Sequence, residues 1–145
     1  MDSIDLFVKT WSSKNSMTPI EGHDIAELES KFTIFLPDSY KYLISRYGLV
    51  HTPNVLTRVC DLGSDISEVQ DFLSLDDVYS LSKLYEMSGM PLFASDCKGN
   101  MFCFKLADCI NQQLDIPVWF FNYDLCTINK VSDSFIGWLD EFNKL

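Results

Sequence analysis

The sequence predicts a single α+β domain, in which N-terminal helices pack on a mostly antiparallel sheet that is closed by a C-terminal helix. Apolar residues recur at helical spacing before residue 48 and after residue 132, whereas aromatic-rich segments of strand type fill residues 90–124. Aromatic and branched side chains suit the pleated surface of a half-buried sheet. Because 145 residues is enough for one core, we expect residues 1–145 to form one domain.

Three helices are expected in the N-terminal third of the chain. The first lies within residues 1–17, from about Ser3 to Asn15, and its apolar residues follow the i, i+3, i+4, i+7 pattern of one helix face. The second begins either with a capping box at residues 18–21 or later, at Asp24. The third runs from Pro37 to Gly48, and Tyr42, which is off its apolar stripe, is expected to be exposed.

The rest of the chain predicts an alternation of strands and helices. Residues 55–62 are expected to form a short strand, and a helix should follow from Ser74 to about Glu86. Strands at residues 101–106 and 118–121 follow a hairpin turn at Gly99. Residues 118–121 are all apolar, which is typical of a central strand covered on both faces. The terminal helix is expected to be capped by Ser132.

Composition excludes several classes of function. The chain has 21 acidic and 11 basic residues, a formal net charge of -10, which repels nucleic acids and anionic membranes and favours a basic partner. No apolar run approaches the roughly 20 residues that span a bilayer. The start of the chain is acidic and does not resemble a secretory signal, so we expect a cytoplasmic protein. The five cysteines lack a C-x-x-C pair, so neither a disulfide framework nor a zinc cluster is expected.

One interval is unusually acidic, because no basic residue occurs between Arg58 and Lys83. Its acidic residues are Asp61, Asp65, Glu68, Asp71, Asp76 and Asp77. Such a density of like charge favours contact with a cation or a basic protein, although a solvated acidic loop explains it equally well. The spacing of a calcium-binding loop is missing. We therefore treat the interval as a candidate partner-binding surface, with Tyr79 and Tyr123 as candidate aromatic anchors.

Catalytic constellations are sparse in the sequence. The two histidines, His23 and His51, do not lie in a recognisable setting with Cys or Ser, which lowers the odds of a Cys or Ser hydrolase without excluding one. Asp96 and Asp124 each follow an apolar segment and suit either paired acids or, more simply, turn residues. We expect no catalytic residue, metal site or cofactor.

The order of these signals resembles the SUKH superfamily, over about residues 20 to 145. The likeness begins in the predicted helices with Ile25-x2-Leu28-Glu29, Leu36-Pro37-x2-Tyr40-Lys41-x-Leu43 and Gly48. It continues through Pro91-Leu92-Phe93-Ala94-x-Asp96-x2-Gly99-Asn100, Phe102-Cys103-Phe104, Pro117-Val118-Trp119-Phe120 with Asp124, and Ser134-Phe135-x2-Trp138-Leu139. The chain departs from the family after Gly48, where members often carry a second glycine.

The resemblance implies a function as well as a fold. Bacterial members of the superfamily are mainly immunity proteins, which have no catalytic activity and neutralise a cognate toxin, frequently a nuclease, in the cytoplasm of the producing cell. An interaction or scaffolding module in a regulatory assembly is the alternative that other relatives suggest. A small enzyme that uses Asp96, Asp124 or a cysteine is a third. We expect a basic toxin as partner, and a monomer or weak homodimer.

Overall fold

The computed structural model describes residues 1–13, 17–84 and 90–145 of the chain. The α-helices in these residues are α1 (Asp2–Trp11), α2 (Gly22–Phe32), α3 (Asp38–Arg46), α4 (Val55–Leu62), α5 (Leu75–Leu84) and α6 (Phe135–Asn143). The strands are β1 (Asp71–Phe72), β2 (Leu92–Ser95), β3 (Met101–Cys103), β4 (Val118–Asn122) and β5 (Thr127–Ser132). This arrangement confirms the predicted α+β class, with N-terminal helices, an antiparallel sheet and a C-terminal helix.

The described strands form one sheet in the order β1-β2-β3-β4-β5, in which every neighbouring pair is antiparallel. The turn between β2 and β3 contains Gly99 at φ +87°, which confirms the predicted hairpin. Asp96 closes this turn, because its Oδ1 accepts hydrogen bonds from the backbone N–H groups of Lys98 and Asn100, both at 2.8 Å. Asp96 is therefore a turn residue, as the simpler interpretation held.

One face of the sheet carries an aromatic core. The rings of Phe93 and Phe104 stack with centroids 4.3 Å apart, and Tyr40 of α3 meets both of them edge-on or tilted. The ring centroid of Trp138, in α6, lies 5.6 Å from that of Phe93 and 4.7 Å from that of Phe102. Aromatic pairs in such geometries stabilise a core beyond the area that they bury, so α3 and α6 are fixed to the sheet through these rings.

The opposite face holds a smaller cluster around the buried residues Leu92, Met101 and Cys103, against which Leu81 of α5 packs. The predicted alternation along residues 101–106 is confirmed, because Phe102 and Phe104 belong to the large core while Met101 and Cys103 belong to this cluster. Both faces of the middle of the sheet are therefore covered.

Most helix predictions are confirmed, with shifted ends. The second helix begins at Gly22, between the two predicted starts. The predicted ends at Asn15 and Glu86 lie outside the described residues. Tyr42 was expected to be exposed, and this is wrong: it is half-buried because its hydroxyl donates to the carboxylate of Asp5 at 3.0 and 3.1 Å.

The predicted strand at residues 55–62 is wrong, since these residues form α4. Val55 and Val59, one helical turn apart, are the buried residues of this helix. Gly63 ends it at φ 61°, the left-handed conformation that glycine adopts without strain. This segment has only eight residues. Its β-branched side chains favour a strand, whereas the spacing of Val55 and Val59 favours a helix, and the burial of both valines in the core stabilises the helix.

The strand at 118–122 lies between β3 and β5 and has apolar packing on both faces, as predicted. Val118 is buried in the large core, against which the half-buried Phe120 also packs, and the half-buried Trp119 packs on the smaller cluster of the opposite face. Other elements differ from expectation. Strands β1 and β5 were not predicted, because β1 has two residues and β5 is almost entirely exposed. Ser134, not Ser132, caps α6, since its Oγ accepts from the N–H of Gly137 at 2.9 Å.

Candidate functional site: an acidic groove between α2 and α5

The structure distributes the acidic interval over several surfaces. Asp61 lies exposed near the end of α4, and Asp65 lies exposed in the segment that follows. Asp65 lines a depression together with Val131 of β5 and Glu141 of α6. Asp76 and Asp77 lie exposed in the first turn of α5, where the positive end of the helix dipole favours acidic side chains.

Two members of the interval already bond to other side chains of the protein. Glu68 is 9% exposed, and its Oε1 accepts hydrogen bonds from the backbone N–H and the thiol of Cys97, at 3.4 and 3.1 Å. Asp71 contacts Nδ1 of His51 through its Oδ1 at 2.5 Å, where the two residues also form an isolated bridge. Sequence reasoning did not foresee either pairing, because the partners are 29 and 20 positions apart.

The two candidate aromatic anchors have different surroundings. Tyr79 is half-buried and packs edge-on against Phe32 of α2 at 5.5 Å. The ammonium groups of Lys83 and Lys31 lie 4.2 and 5.1 Å from the centre of its ring, and a hydrogen bond with Lys83 lowers the pKa of its hydroxyl. Tyr123, in the turn between β4 and β5, is 55% exposed.

Asp76 takes part in a groove that the sequence did not predict, which we call the α2–α5 groove. Its volume is about 280 Å³. Its apolar floor consists of Ile20, Leu28, Leu49 and Leu75. Its acidic rim consists of Asp24, Glu27 and Asp76. The three rim carboxylates are exposed, whereas Leu28 is buried, so the groove combines an apolar base with charged edges.

Local structure explains why this groove exists. Asp24, Glu27, Leu28 and Lys31 line it from α2, and their spacing places them along one helix face. The segment before α2 is tied to α3, because the backbone N–H of Ile20 donates to the carbonyl of Ile44 at 2.9 Å. A second depression, which also includes Glu21, continues along this segment.

The rim carries more negative than positive charge. Lys31 is the basic residue in its lining, and its Nζ lies 3.5 Å from Glu27, at i,i+4 spacing. Asp24 and Asp76 approach the groove from different elements. Sequence reasoning missed Asp24 and Glu27 because they lie outside the interval without bases. The sequence signal that could have identified them is the spacing of Glu21, Asp24 and Glu27 at every third position, which places acidic side chains on one helix face.

A histidine lies beside the groove, at the start of α2. His23 contacts a carboxylate oxygen of Glu21 through Nδ1 and one of Asp24 through Nε2, each at 3.1 Å. One ligand atom from each of these residues lies within 4.8 Å of the others. These are residue types that bind transition metals, but all three are exposed and we assign no metal site to them.

Two of the residues considered for an enzyme, Asp96 and His51, already bond within the protein. Asp96 is used in its turn, Asp124 lies exposed in the β4–β5 turn, and His51 pairs with Asp71. Thr52, beside this pair, uses its hydroxyl to donate to the carbonyl of Val69 at 2.9 Å. The five cysteines are unpaired.

The fold and the groove together describe a small α+β domain with an acidic, apolar-floored depression on its surface. The model of the SMI1/KNR4 family (SUKH-1) matches residues 19–141, and the chain therefore belongs to this family, as the motifs in its sequence indicated. No curated protein matches the chain significantly.

A membrane-spanning helix was not expected from the sequence. None of the helices in the described part of the chain combines the length and the apolar character that crossing a bilayer requires.

Proposed function

We propose that this protein is a non-catalytic immunity protein, which binds a cognate bacterial toxin in the cytoplasm of the producing cell and neutralises it. Membership of the SUKH-1 family carries the proposal. The chain charge of -10 supports a basic partner, since complementary charge accelerates association and selects the partner. Nucleases are basic where they bind nucleic acid, so a nuclease toxin is the partner class that fits best.

Exposed carboxylates are the proposed contact surface for the toxin. Asp61, Asp65, Asp76 and Asp77 are exposed and face solvent, where a basic surface reaches them without rearrangement of the fold. Glu68 and Asp71 already bond to Cys97 and His51, so they contribute negative field more than direct contact. Tyr79 lies in α5 with Asp76 and Asp77, and Tyr123 is exposed in the β4–β5 turn; both supply aromatic surface, a residue type enriched at binding hot spots.

The experiment is a pull-down followed by neutralisation. The tagged protein is captured from its own cell lysate at low salt, washed with rising salt, and the retained proteins are identified by mass spectrometry. We expect one basic partner with a toxin domain, recovered near one to one, whose purified activity is abolished by a stoichiometric amount of this protein. Several partners from one pathway, or partners whose activity persists in the complex, would instead support the scaffolding alternative.

A charge variant then tests the contact surface. Replacing the four exposed aspartates by Asn removes charge without removing a side-chain hydrogen bond seen among the described residues. Exposed ion pairs contribute about 0.2–1 kcal/mol each, so we expect the affinity to fall about tenfold or more and its salt dependence to weaken. An unchanged affinity and salt dependence would show that the toxin binds elsewhere.

A further inference from the structure

The α2–α5 groove has features that a solvated acidic surface does not require. Its floor includes Leu49 and Leu75, which are half-buried and open to the groove. Asp24 and Glu27 line it from α2, and Asp76 lines it from the start of α5. Like charges on the edges of one depression repel each other, and this repulsion is relieved when a cation enters between them.

The cation within the groove lining is already engaged. Nζ of Lys31 lies 3.5 Å from Glu27 and 5.1 Å from the centre of the Tyr79 ring, so its charge is directed to these two groups. Asp24 contacts His23 at 3.1 Å, and this contact is ionic only when His23 is protonated. The groove therefore favours positive charge from outside the molecule.

The chemistry of the groove selects among possible occupants. An apolar floor adds nothing to the binding of a bare metal ion, whose ligands are polar, and the acidic rim repels phosphate groups. A second copy of this chain carries the same charge of -10. The volume of about 280 Å³, near the lower bound of about 300 Å³ for small-molecule sites, is enough for anchoring side chains of a protein.

We propose that the α2–α5 groove docks a basic amphipathic segment of a partner protein. Apolar side chains of the segment pack on Leu49 and Leu75, while its Lys or Arg side chains lie between the rim carboxylates of Asp24, Glu27 and Asp76. The inference rests on the proposed function and deepens it, because it names a surface for the basic toxin that combines Asp76 of the acidic interval with Asp24 and Glu27 of α2. Helix-in-groove recognition uses the same combination of apolar anchors and flanking charge.

The test uses synthetic peptides, so that it does not depend on finding the toxin. The probe is a short helical peptide of Lys and Leu, with Leu at i, i+3, i+4 and i+7. Two comparison peptides keep its length, one with Ser in place of Leu and one with Glu in place of Lys. Binding is followed by fluorescence anisotropy, and the site by chemical shifts of the Leu methyl groups. We expect the Lys–Leu peptide to bind best and to shift the signals of Leu28, Leu49 and Leu75.

Matched variants separate the groove from the general acidity of the chain. The double variant Asp24→Asn, Glu27→Gln removes two rim charges, and Asp124→Asn, Glu141→Gln removes the same charges from exposed positions outside the lining. We expect the first to weaken Lys–Leu peptide binding about three- to tenfold, since exposed ion pairs contribute about 0.2–1 kcal/mol each. The second should change it less than twofold. Leu49→Ala should weaken binding without changing its salt dependence.

In the peptide experiment, three results would overturn the inference: equal binding of the peptide with Ser in place of Leu, equal losses in the two double variants, or chemical-shift changes confined to other surfaces. Thermal melts of each variant confirm that it is folded. The toxin experiment and the peptide experiment test different claims, so their failures can be told apart. If the rim variant binds the toxin with the affinity of the unmodified protein, the docking inference is wrong and the immunity function stands. If the peptide binds the groove but no toxin is neutralised, the immunity function fails alone.

Discussion

The carboxylate of Asp115 accepts a hydrogen bond from the backbone N–H of Phe135 at 2.7 Å, across 20 positions of sequence. Its second oxygen accepts from the N–H of Ile136 at 3.0 Å, and Ser134 accepts from the next N–H, that of Gly137. The first free N–H groups of α6 are thus satisfied by one distant and one local side chain. Asp115 also accepts from Oγ of Ser39, in α3, at 3.0 Å.

Replacing Asp115 by Ala should therefore loosen α3 and α6 together. We expect a loss of about 2–3 kcal/mol in the free energy of unfolding, because a charged acceptor of several hydrogen bonds is removed. Urea denaturation measures this loss. Asp124→Ala, in the exposed β4–β5 turn, is the control and should stay within about 0.5 kcal/mol. Equal losses would mean that Asp115 does not fix the two helices.

Gly48 holds the segment that leads to the groove, and it should not tolerate a side chain. Its φ is +90°, and a Cβ there would lie 2.3 Å from the carbonyl oxygen of Thr18. Gly63 has φ +61° with open space around a Cβ. Gly48→Ala should cost about 3 kcal/mol or more, whereas Gly63→Ala should cost only the left-handed strain of about 1–2 kcal/mol. Thermal denaturation compares them, and similar midpoints would contradict the close approach.

The hydroxyl of Tyr40 should be dispensable. It is buried, and no described residue offers it a hydrogen bond; burial raises the pKa of this phenol. Tyr40→Phe removes an unsatisfied polar group and keeps the ring contacts with Phe93 and Phe104, so we expect stability to rise by about 1 kcal/mol. Tyr47→Phe is the matched control and should lower it, because the hydroxyl of Tyr47 donates to Asp5 at 2.5 Å. A lower stability of Tyr40→Phe would contradict this expectation and would show that the Tyr40 hydroxyl has a hydrogen-bond partner.

Asp5 should make part of the stability dependent on pH. The hydrogen bond from Tyr47, assisted by that from Tyr42, lowers the pKa of Asp5 below its ordinary value of 3.8. The stability that ionised Asp5 contributes is therefore complete above that value and is lost as pH falls through the lowered pKa. Asp5→Asn should be less stable than the unmodified protein at neutral pH and indistinguishable from it in strong acid. Urea midpoints over a pH series test this, and a constant difference would contradict it.

The cysteines should separate by reactivity. Burial raises the pKa of Cys103 and of Cys109 to about 12, whereas the other three cysteines are exposed. Hydrogen bonding to Glu68 raises the pKa of Cys97. Because the thiolate is the form of cysteine that attacks a thiol-modifying reagent, Cys97 should react more slowly than Cys60 and Cys126.

The folded protein should therefore consume three equivalents of reagent, and the denatured protein five. Glu68→Gln should accelerate the slow native phase by removing the nearby negative charge. A fast Cys97 in the unmodified protein, or an unchanged rate in the variant, would contradict the Glu68–Cys97 bond.

The sequence alone determined the elements whose signals are local. Pro37 and Gly48 bound the third helix because their backbone preferences act within one turn, and alternation along residues 101–106 placed Phe102 and Phe104 in the core. These positions, with the motif order of the SUKH superfamily, gave the fold class and the family.

Tertiary structure decided what depends on distant residues. Residues 55–62 became helix because Val55 and Val59 are buried together, and β5 formed against β4 although its side chains are mostly exposed. Glu68 and Asp71 looked like free charges until the fold placed Cys97 and His51 beside them. The α2–α5 groove combines residues more than 40 positions apart along the chain. The charge of these residues is known from the sequence, but which of the charges lie on the same groove depends on how the helices pack.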